Sequence, residues 1–168
     1  MILLSHSEDA TLALGSLLAK HLSFGQVVTL HGDLGAGKTV FSRGVARGLG
    51  VTEPVTSPTF TVVQEYRLAD HKMFFHLDLY RIDNEQAALA FGIEDFLFAN
   101  DAITLVEWPE RIPKLLPVPP VLPLRLEHAD HDLRQITIPD ELASKLHDTP
   151  LPDGITLLPL TQTSAQPE

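Results

Sequence analysis

The chain has 168 residues and a mass of 18.5 kDa, which is enough for one domain with a buried core. Its 44% hydrophobic and 20% charged residues exclude wholesale disorder and a coiled coil, and the lack of cysteine excludes disulfides, cysteine-bound zinc and thiol catalysis. The formal charge of -10 argues against tight, autonomous binding to a nucleic-acid backbone, but it leaves room for a role in nucleic-acid metabolism through a partner.

The sequence also gives an expectation for localisation. No apolar run approaches the roughly 20 residues that a membrane-spanning helix needs. The N-terminus is apolar only as far as Leu4 and has neither a basic start nor a signal-peptide cleavage pattern. We therefore expect a cytoplasmic protein that has no membrane partner.

Hydrophobic periodicity predicts alternating helices and strands. We expect first a helix capped by Ser7 or Asp9 and running to about His21, then a buried strand over Gln26–His31 and a helix from about Gly37 to Leu49. Two alternating strands follow over Thr59–Leu68 and Met73–Tyr80. The remaining elements are one or two short helices over residues 84–99 and a buried strand over Ala102–Trp108. Strands mixed with helices in this way favour an α/β sheet with helices on both faces.

Glycine and proline divide the chain into two parts. Nine of the 10 glycines precede residue 93, whereas 11 of the 13 prolines lie at or after residue 109. We predict a main domain over residues 1–138, in which residues 121–138 form an attached strand pair. A connector over Ile112–Pro123 leads into this pair, and its prolines exclude a helix there. Residues 139–168 are predicted to be a C-terminal extension that is mobile in part, because proline and small polar residues there show no sustained periodicity.

The strongest motif is a glycine-rich loop between a predicted strand and a predicted helix. Gly32-Asp33-Leu34-Gly35-Ala36-Gly37-Lys38-Thr39 fits the P-loop pattern G-x-x-x-x-G-K-[ST] at every fixed position. In such a loop the glycines let backbone N–H groups wrap a phosphate chain, and the positive end of the following helix faces the phosphates. Lys38 would place its ammonium on the β- and γ-phosphates, and Thr39 would add its hydroxyl to the shell of a Mg²⁺ ion. The sequence therefore predicts a nucleoside triphosphate site over Asp33–Val40. The predicted fold is a three-layer α/β fold like that of P-loop NTPases, with a mostly parallel sheet and an added C-terminal strand pair.

Two acidic residues end predicted strands and are candidates for positioning Mg²⁺ and the attacking water. Asp78 closes the apolar run over residues 74–77, and Glu107 closes the run over residues 103–106. The second run has the shape of a Walker B strand, in which an acid follows a hydrophobic segment beside the P-loop strand. Together with Lys38, the two acids form the predicted catalytic group.

Hydroxyl groups alternate at Ser57, Thr59 and Thr61, where Pro58 fixes the entry to an extended segment. In nucleotide hydrolases this region commonly carries a switch, in which a hydroxyl meets the γ-phosphate or its metal. The alternative is an ordinary turn before a threonine-rich strand. Trp108, the only tryptophan, is either a partly buried anchor or a residue that covers the nucleotide or contacts a partner.

Five segments carry a family resemblance. GDLGAGKT, SPTFTVVQEY, HLDLYRI, FGIEDF and LVEWPER, in this order and at these spacings, closely resemble the bacterial TsaE (YjeE) family over about residues 5–138. Members of that family are small P-loop ATPases required to form threonylcarbamoyladenosine in tRNA. The resemblance implies an ATPase that does not itself transfer the threonylcarbamoyl group. It would work with the partner pair TsaD and TsaB and reset that complex between turnovers. Because the 12 basic residues are scattered, we expect the partners to hold the tRNA.

The same resemblance implies roles for single residues. It places ligands of Mg²⁺ at Thr39 and Glu107, and support for the metal or the catalytic water at Asp78. The stretch from Glu8 to Thr11 would lie near the adenosine. The family often carries an arginine close to the nucleotide in the last strand pair, where this chain has His131 and Arg134.

Two other functions use the same loop. A small-metabolite kinase would need an acceptor pocket and usually an arginine-bearing lid, whereas the arginines here are dispersed along the chain. A nucleotide-dependent binding module with little turnover would need the same phosphate cradle, so the sequence does not separate it from a hydrolase. We expect ATP to be preferred over GTP, because the sequence contains neither the N-K-x-D nor the D-x-x-G element of guanine-specific proteins.

Overall fold

The computed structural model describes residues 1–116 and 121–158. Its helices and strands follow one another as β1 (Ile2–Ser5), α1 (Glu8–Ala19), β2 (Val27–His31), α2 (Lys38–Gly48), β3 (Val63–Arg67), β4 (Met73–Asp78), α3 (Glu85–Ala90), α4 (Glu94–Leu97), β5 (Ala102–Glu107), β6 (Val121–His128), β7 (Arg134–Thr137), α5 (Asp140–Leu146) and β8 (Ile155–Leu157). The mixture of helices and strands confirms the predicted α/β class.

Within the described part of the chain, eight strands form one sheet in the order β3-β4-β5-β2-β6-β7-β1-β8. The four strands at its core, β4, β5, β2 and β6, are parallel to one another, and the other neighbours pair antiparallel. The carboxyl ends of the parallel strands therefore meet at the same edge of the sheet. Ligands of open α/β sheets bind at that edge, and the chain leaves β2 there to enter the glycine-rich loop.

Apolar side chains alternate between the two faces of the sheet and form two cores. One core lies against α1, α2 and α5, which contribute Leu14, Phe41 and Leu142. The second core lies against α3 and α4, which contribute Ala88 and Leu97. Because helices cover both faces, the three-layer arrangement is as predicted.

The predicted strand pair over residues 121–138 forms as β6 and β7, but it lies inside the sheet. β6 pairs in parallel with β2, where Leu124 stands beside Leu30, and β7 pairs with β1, where Ile136 stands beside Leu3. β1 was not predicted from the sequence, because its four residues are too few to show a period. Pairing on both sides, with β7 and β8, stabilises it.

α5 joins this core and β8 joins the core and the sheet, within the stretch over residues 139–168 that the sequence predicts to be a C-terminal extension. α5 buries Leu142 and Leu146, and β8 adds Ile155 to the same core. These three apolar side chains dock a segment whose periodicity is too weak to be recognised. The domain division at residue 138 and the partial mobility of the extension remain predictions. Residues 159–168, and residues 117–120 of the predicted connector, lie outside the described residues.

Helices α1 and α2 pack closely enough for their backbones to touch. A Cβ at Gly15 would collide with the carbonyl oxygen of Phe41, and a Cβ at Gly44 would collide with that of Leu12. As predicted, Ser7 caps α1, and its Oγ accepts a hydrogen bond of 3.1 Å from the Ala10 N–H. The close crossing brings the capped end of α1 beside the first turn of α2.

We expect Ile155→Ala to show that the C-terminal segment belongs to the fold. Ile155 is 7% exposed, so removing its methyl groups should lower the free energy of unfolding by about 2 kcal/mol or more. Leu157→Ala on the same strand is the matched control, because Leu157 is 55% exposed and its loss should cost less than about 0.5 kcal/mol. Denaturant unfolding of both variants measures the difference. Equal, small effects would contradict the packing described above.

Candidate functional site

The loop between β2 and α2 depends on glycine at its two ends. Gly32 has a φ of 137°, and a Cβ there would collide with the carbonyl oxygen of Leu126 on β6. Gly37 has a φ of 100° and is the N-cap of α2, so the loop runs directly into the positive end of that helix. Ala36, between them, is fully buried and anchors the loop to the core. Glycine at these two positions therefore sets the path of the loop from β2 into α2.

Lys38 is held over this loop. Its Nζ donates hydrogen bonds to the carbonyl oxygens of Gly32 and Asp33, the latter at 2.9 Å, and it lies 3.8 Å from the centre of the Trp108 ring. Burial lowers the pKa of Lys38, and the carboxylates of the site, Glu107 first among them, oppose that effect. The ammonium is therefore partly desolvated, which strengthens its attraction for an anion such as phosphate.

Glu107 ends β5 next to the loop and accepts three hydrogen bonds. Its Oε2 accepts from the Thr39 hydroxyl at 3.2 Å. Its Oε1 accepts from the Ser42 hydroxyl at 2.9 Å and contacts Nε2 of His76 at 2.8 Å. The side chain is almost fully buried, with one oxygen directed to the first turn of α2 and the other to the interior.

Asp78 ends β4 and stands beside Glu107 in the register of two parallel strands. Its Oδ2 accepts hydrogen bonds from the hydroxyls of Ser57 at 2.8 Å and Thr59 at 2.7 Å, and its Oδ1 accepts one from the Tyr80 N–H at 3.0 Å. The two predicted acids are thus brought together at the carboxyl edge of the sheet. Two of the three predicted switch hydroxyls, those of Ser57 and Thr59, are hydrogen-bonded to Asp78.

Thr61, the third predicted switch hydroxyl, is not part of this group. The carbonyl oxygen of Pro58 accepts hydrogen bonds from the N–H groups of Thr61 and Val62, so the chain turns here instead of extending. Val62 has a φ of 67°, which is strained for a β-branched residue, and β3 begins only at the next residue. The predicted strand start at Thr59 was therefore wrong, and the turn leaves Thr61 exposed.

Trp108 lies directly after β5 and is held in an unusual backbone conformation. Its φ of 62° is in the left-handed region, which costs free energy for a non-glycine residue. Its ring lies 5.1 Å from that of Tyr80, centre to centre, and packs over Lys38. The aromatic pair forms one wall of the site, next to Lys38.

These groups surround a cavity of about 510 Å³. The predicted site residues that line it are Glu8, Thr11, Leu34, Gly35, Gly37, Lys38, Thr39, Val40, Ser57, Thr59, Asp78, Glu107 and Trp108. The side chains of Asp33, Ala36 and Thr61 are not among the lining groups. The N-terminal end of α1, which the resemblance predicts to lie near the adenosine, thus lines the same cavity as the P-loop, Asp78 and Glu107.

Several residues of the site were not predicted from the sequence. His6, Ser7, Tyr80 and Asp132 line the cavity. Arg134, which the family resemblance already suggested, lines it as well, whereas His131 does not. Of the two residues considered for the family arginine, Arg134 is therefore the one at the cavity wall. Tyr80 could have been inferred, because it follows Asp78 by two residues. His6 and Asp132 reach the cavity through pairing of distant strands, which leaves no local signal.

The side chains at the carboxyl edge of the sheet fit a magnesium ion. The hydroxyl of Thr39 and the carboxylates of Glu107 and Asp78 offer only oxygen, which is the ligand that Mg²⁺ prefers. Lys38 lies on the P-loop side of the same group, where the phosphates of a nucleotide would complete the coordination. The loop backbone, the oxygen donors and the ammonium can together hold a metal–nucleotide complex.

Comparison with known proteins gives a consistent assignment. A family model described as threonylcarbamoyl adenosine biosynthesis protein TsaE matches residues 5–136. The chain is 46% identical to the tRNA threonylcarbamoyladenosine biosynthesis protein TsaE of Synechocystis over 64% of this chain and 69% of that protein. It is 40% identical to the protein of the same name from Bacillus subtilis over 77% and 78% of the two chains. The crystal structure of Bacillus subtilis YdiB matches with a TM-score of 0.71 and 32% identity, covering 87% of this chain and 93% of that one.

Over residues 1–116 and 121–158, no helix has the length and apolar character needed to cross a bilayer.

Proposed function

This chain belongs to the TsaE family of threonylcarbamoyladenosine biosynthesis proteins, and we propose that it is a Mg²⁺-dependent ATPase that acts with TsaD and TsaB in forming this nucleoside in tRNA. The family's role is in the biosynthesis of the modified nucleoside, and its members are nucleotide-binding proteins. The proposal includes ATP, Mg²⁺, the two partner proteins and a cytoplasmic location.

One observation carries the proposal of ATP hydrolysis. Thr39, Glu107 and Asp78 converge beside Lys38 at the carboxyl edge of the parallel strands. A nucleotide-binding loop alone could serve a passive binding module. Two acids held by hydrogen bonds next to the loop are the additional groups that phosphoryl transfer to water requires.

Each residue has a distinct task in this proposal. The backbone N–H groups of the loop and the Lys38 ammonium bind the β- and γ-phosphates and compensate the charge that develops there. Thr39 and Glu107 would hold Mg²⁺, which when bound neutralises phosphate charge. The Asp78 carboxylate, fixed by Ser57, Thr59 and the Tyr80 amide, orients the attacking water.

Partner binding is proposed to follow the nucleotide state. The two hydroxyls attached to Asp78 belong to the turn that carries Phe60, whose side chain is 83% exposed. Leu34 in the P-loop is 71% exposed near the same cavity. Large exposed apolar side chains beside a nucleotide site favour a protein contact. The net charge of -10 disfavours direct binding of tRNA, so TsaD and TsaB would hold the tRNA.

We expect ATP to strengthen binding to the TsaD–TsaB pair relative to ADP or no nucleotide, because it would order the turn around Ser57 and Thr59. Calorimetric titration in the three nucleotide states measures this. Phe60→Ser should weaken the complex without changing nucleotide affinity, and Phe98→Ser, at a 56% exposed residue outside the cavity, is the control. Identical affinities in all three states would argue against a nucleotide-dependent partner. Tight, salt-sensitive tRNA binding by the isolated chain would argue against an indirect role.

A further inference from the structure

One polar side chain interrupts an apolar face of the sheet beneath the site. On the face that packs against α2, Phe74, Ile103 and Leu105 are at most 1% exposed, and His76 lies among them with no exposed area. His76 precedes Asp78 by two residues, so both side chains project from the same face of β4. A histidine buried in such surroundings needs a hydrogen-bond partner to offset its loss of hydration.

The partner of His76 is Glu107. Nε2 of His76 lies 2.8 Å from Oε1 of Glu107, and a carboxylate oxygen only accepts, so Nε2 donates. The hydroxyl of Ser42, which is also fully buried, donates to the same oxygen at 2.9 Å. Two donors from the interior therefore occupy Oε1. Oε2 is the oxygen on the side of Thr39.

The other ring nitrogen of His76 shows that the position is not optimised for packing. Nδ1 is buried and has no hydrogen-bond partner among the residues that the structure describes. An unpaired buried polar atom destabilises the folded state, and an apolar side chain of similar size would avoid that cost. The bond from Nε2 to Glu107 is the interaction through which His76 can serve the site.

We propose that His76 is a positioning residue that fixes Oε1 of Glu107, so that Glu107 presents Oε2 to Mg²⁺. The inference rests on the proposed function, because it concerns how this chain holds the metal. Hydrogen-bond partners behind metal ligands orient those ligands, and losing one typically lowers metal affinity about 10- to 100-fold. His76 needs no contact with nucleotide or metal to have this effect.

The test compares nucleotide affinity with and without the metal. The probe is a non-hydrolysable ATP analogue, titrated into the full chain in excess MgCl₂ and again in EDTA, with the fluorescence of Trp108 as the signal. The dissociation constant in EDTA divided by the dissociation constant in MgCl₂ reports how much Mg²⁺ strengthens nucleotide binding. His76→Leu should reduce this ratio about tenfold or more while the affinity in EDTA stays within about twofold of wild type. His76→Gln, whose amide N–H can replace the Nε2 donor, should restore most of the ratio.

The outcomes separate this inference from the proposal on which it rests. A wild-type chain without any Mg²⁺ dependence would contradict the proposed function itself. Two results would overturn the positioning role alone. The first is a ratio in His76→Leu equal to that of the wild type, and the second is a ratio in His76→Gln as low as in His76→Leu. Ser42→Ala removes the second donor to Oε1 without adding volume, so it keeps the test available if the His76 variants do not fold. It should lower the ratio at least threefold, and no change would also overturn the inference.

Discussion

Lys38→Ala is expected to lower the affinity for ATP on the order of 100-fold, because it removes a charge-assisted hydrogen bond to the phosphates from a partly desolvated site. The side chain already lies over the loop, held by two backbone carbonyl groups and the face of Trp108, so little ordering of the lysine is needed when a nucleotide binds. Calorimetric titration with Mg²⁺–ATP measures the loss.

The chain offers a matched control for this substitution. Lys72 also lies over an aromatic ring, with its Nζ 5.2 Å from the centre of Phe24, but it is not among the residues that line the cavity. Lys72→Ala should bind ATP as the wild type does. Equal affinity of Lys38→Ala and the wild type for ATP would contradict the proposed contact between Lys38 and the phosphates.

Glu107→Gln is expected to slow ATP hydrolysis by roughly 100-fold or more, since the charge compensation that a metal ligand supports is worth several kcal/mol in the transition state. The amide keeps the volume of the side chain but removes the negative charge. ATP binding in EDTA should change much less, because the loop and Lys38 are intact. Steady-state release of ADP, together with a binding titration, separates the two effects.

Glu110→Gln is the control for charge alone. Glu110 is exposed and acts on Lys38 only through its charge, with no hydrogen bond to it. Its neutralisation should leave hydrolysis nearly unchanged. Hydrolysis at the wild-type rate in Glu107→Gln would instead assign the main metal-binding role to Asp78, which stands beside Glu107 in the sheet.

The parts of the site that could be predicted are those with a local cause. The P-loop follows from glycines at fixed spacing, and Gly32 is required because any Cβ there would meet β6. Asp78 and Glu107 were recognisable because each ends an apolar run, and parallel strands then bring the two ends together. These features need no knowledge of distant contacts.

The parts that escaped prediction depend on residues far apart in the chain. β1 and β8 are too short to show a period, and they form because they pair with each other and because β1 also pairs with β7. Thr61 was placed in the site on the assumption of an extended chain, whereas hydrogen bonds to Pro58 make a turn. His76 had a usable signal, namely its place two residues before Asp78, but its role depends on a contact with β5 that the sequence does not show.

We propose that this cavity hydrolyses ATP to support the formation of threonylcarbamoyladenosine. The most direct test is ADP release from Mg²⁺–ATP by the purified chain, alone and with the TsaD–TsaB pair, with EDTA and Lys38→Ala as blanks. We predict release that requires Mg²⁺, is lost in Lys38→Ala and changes when the partner pair is added. Release that is no greater than in the Lys38→Ala blank, with and without the partners, would contradict the claim and favour a nucleotide-binding module without turnover.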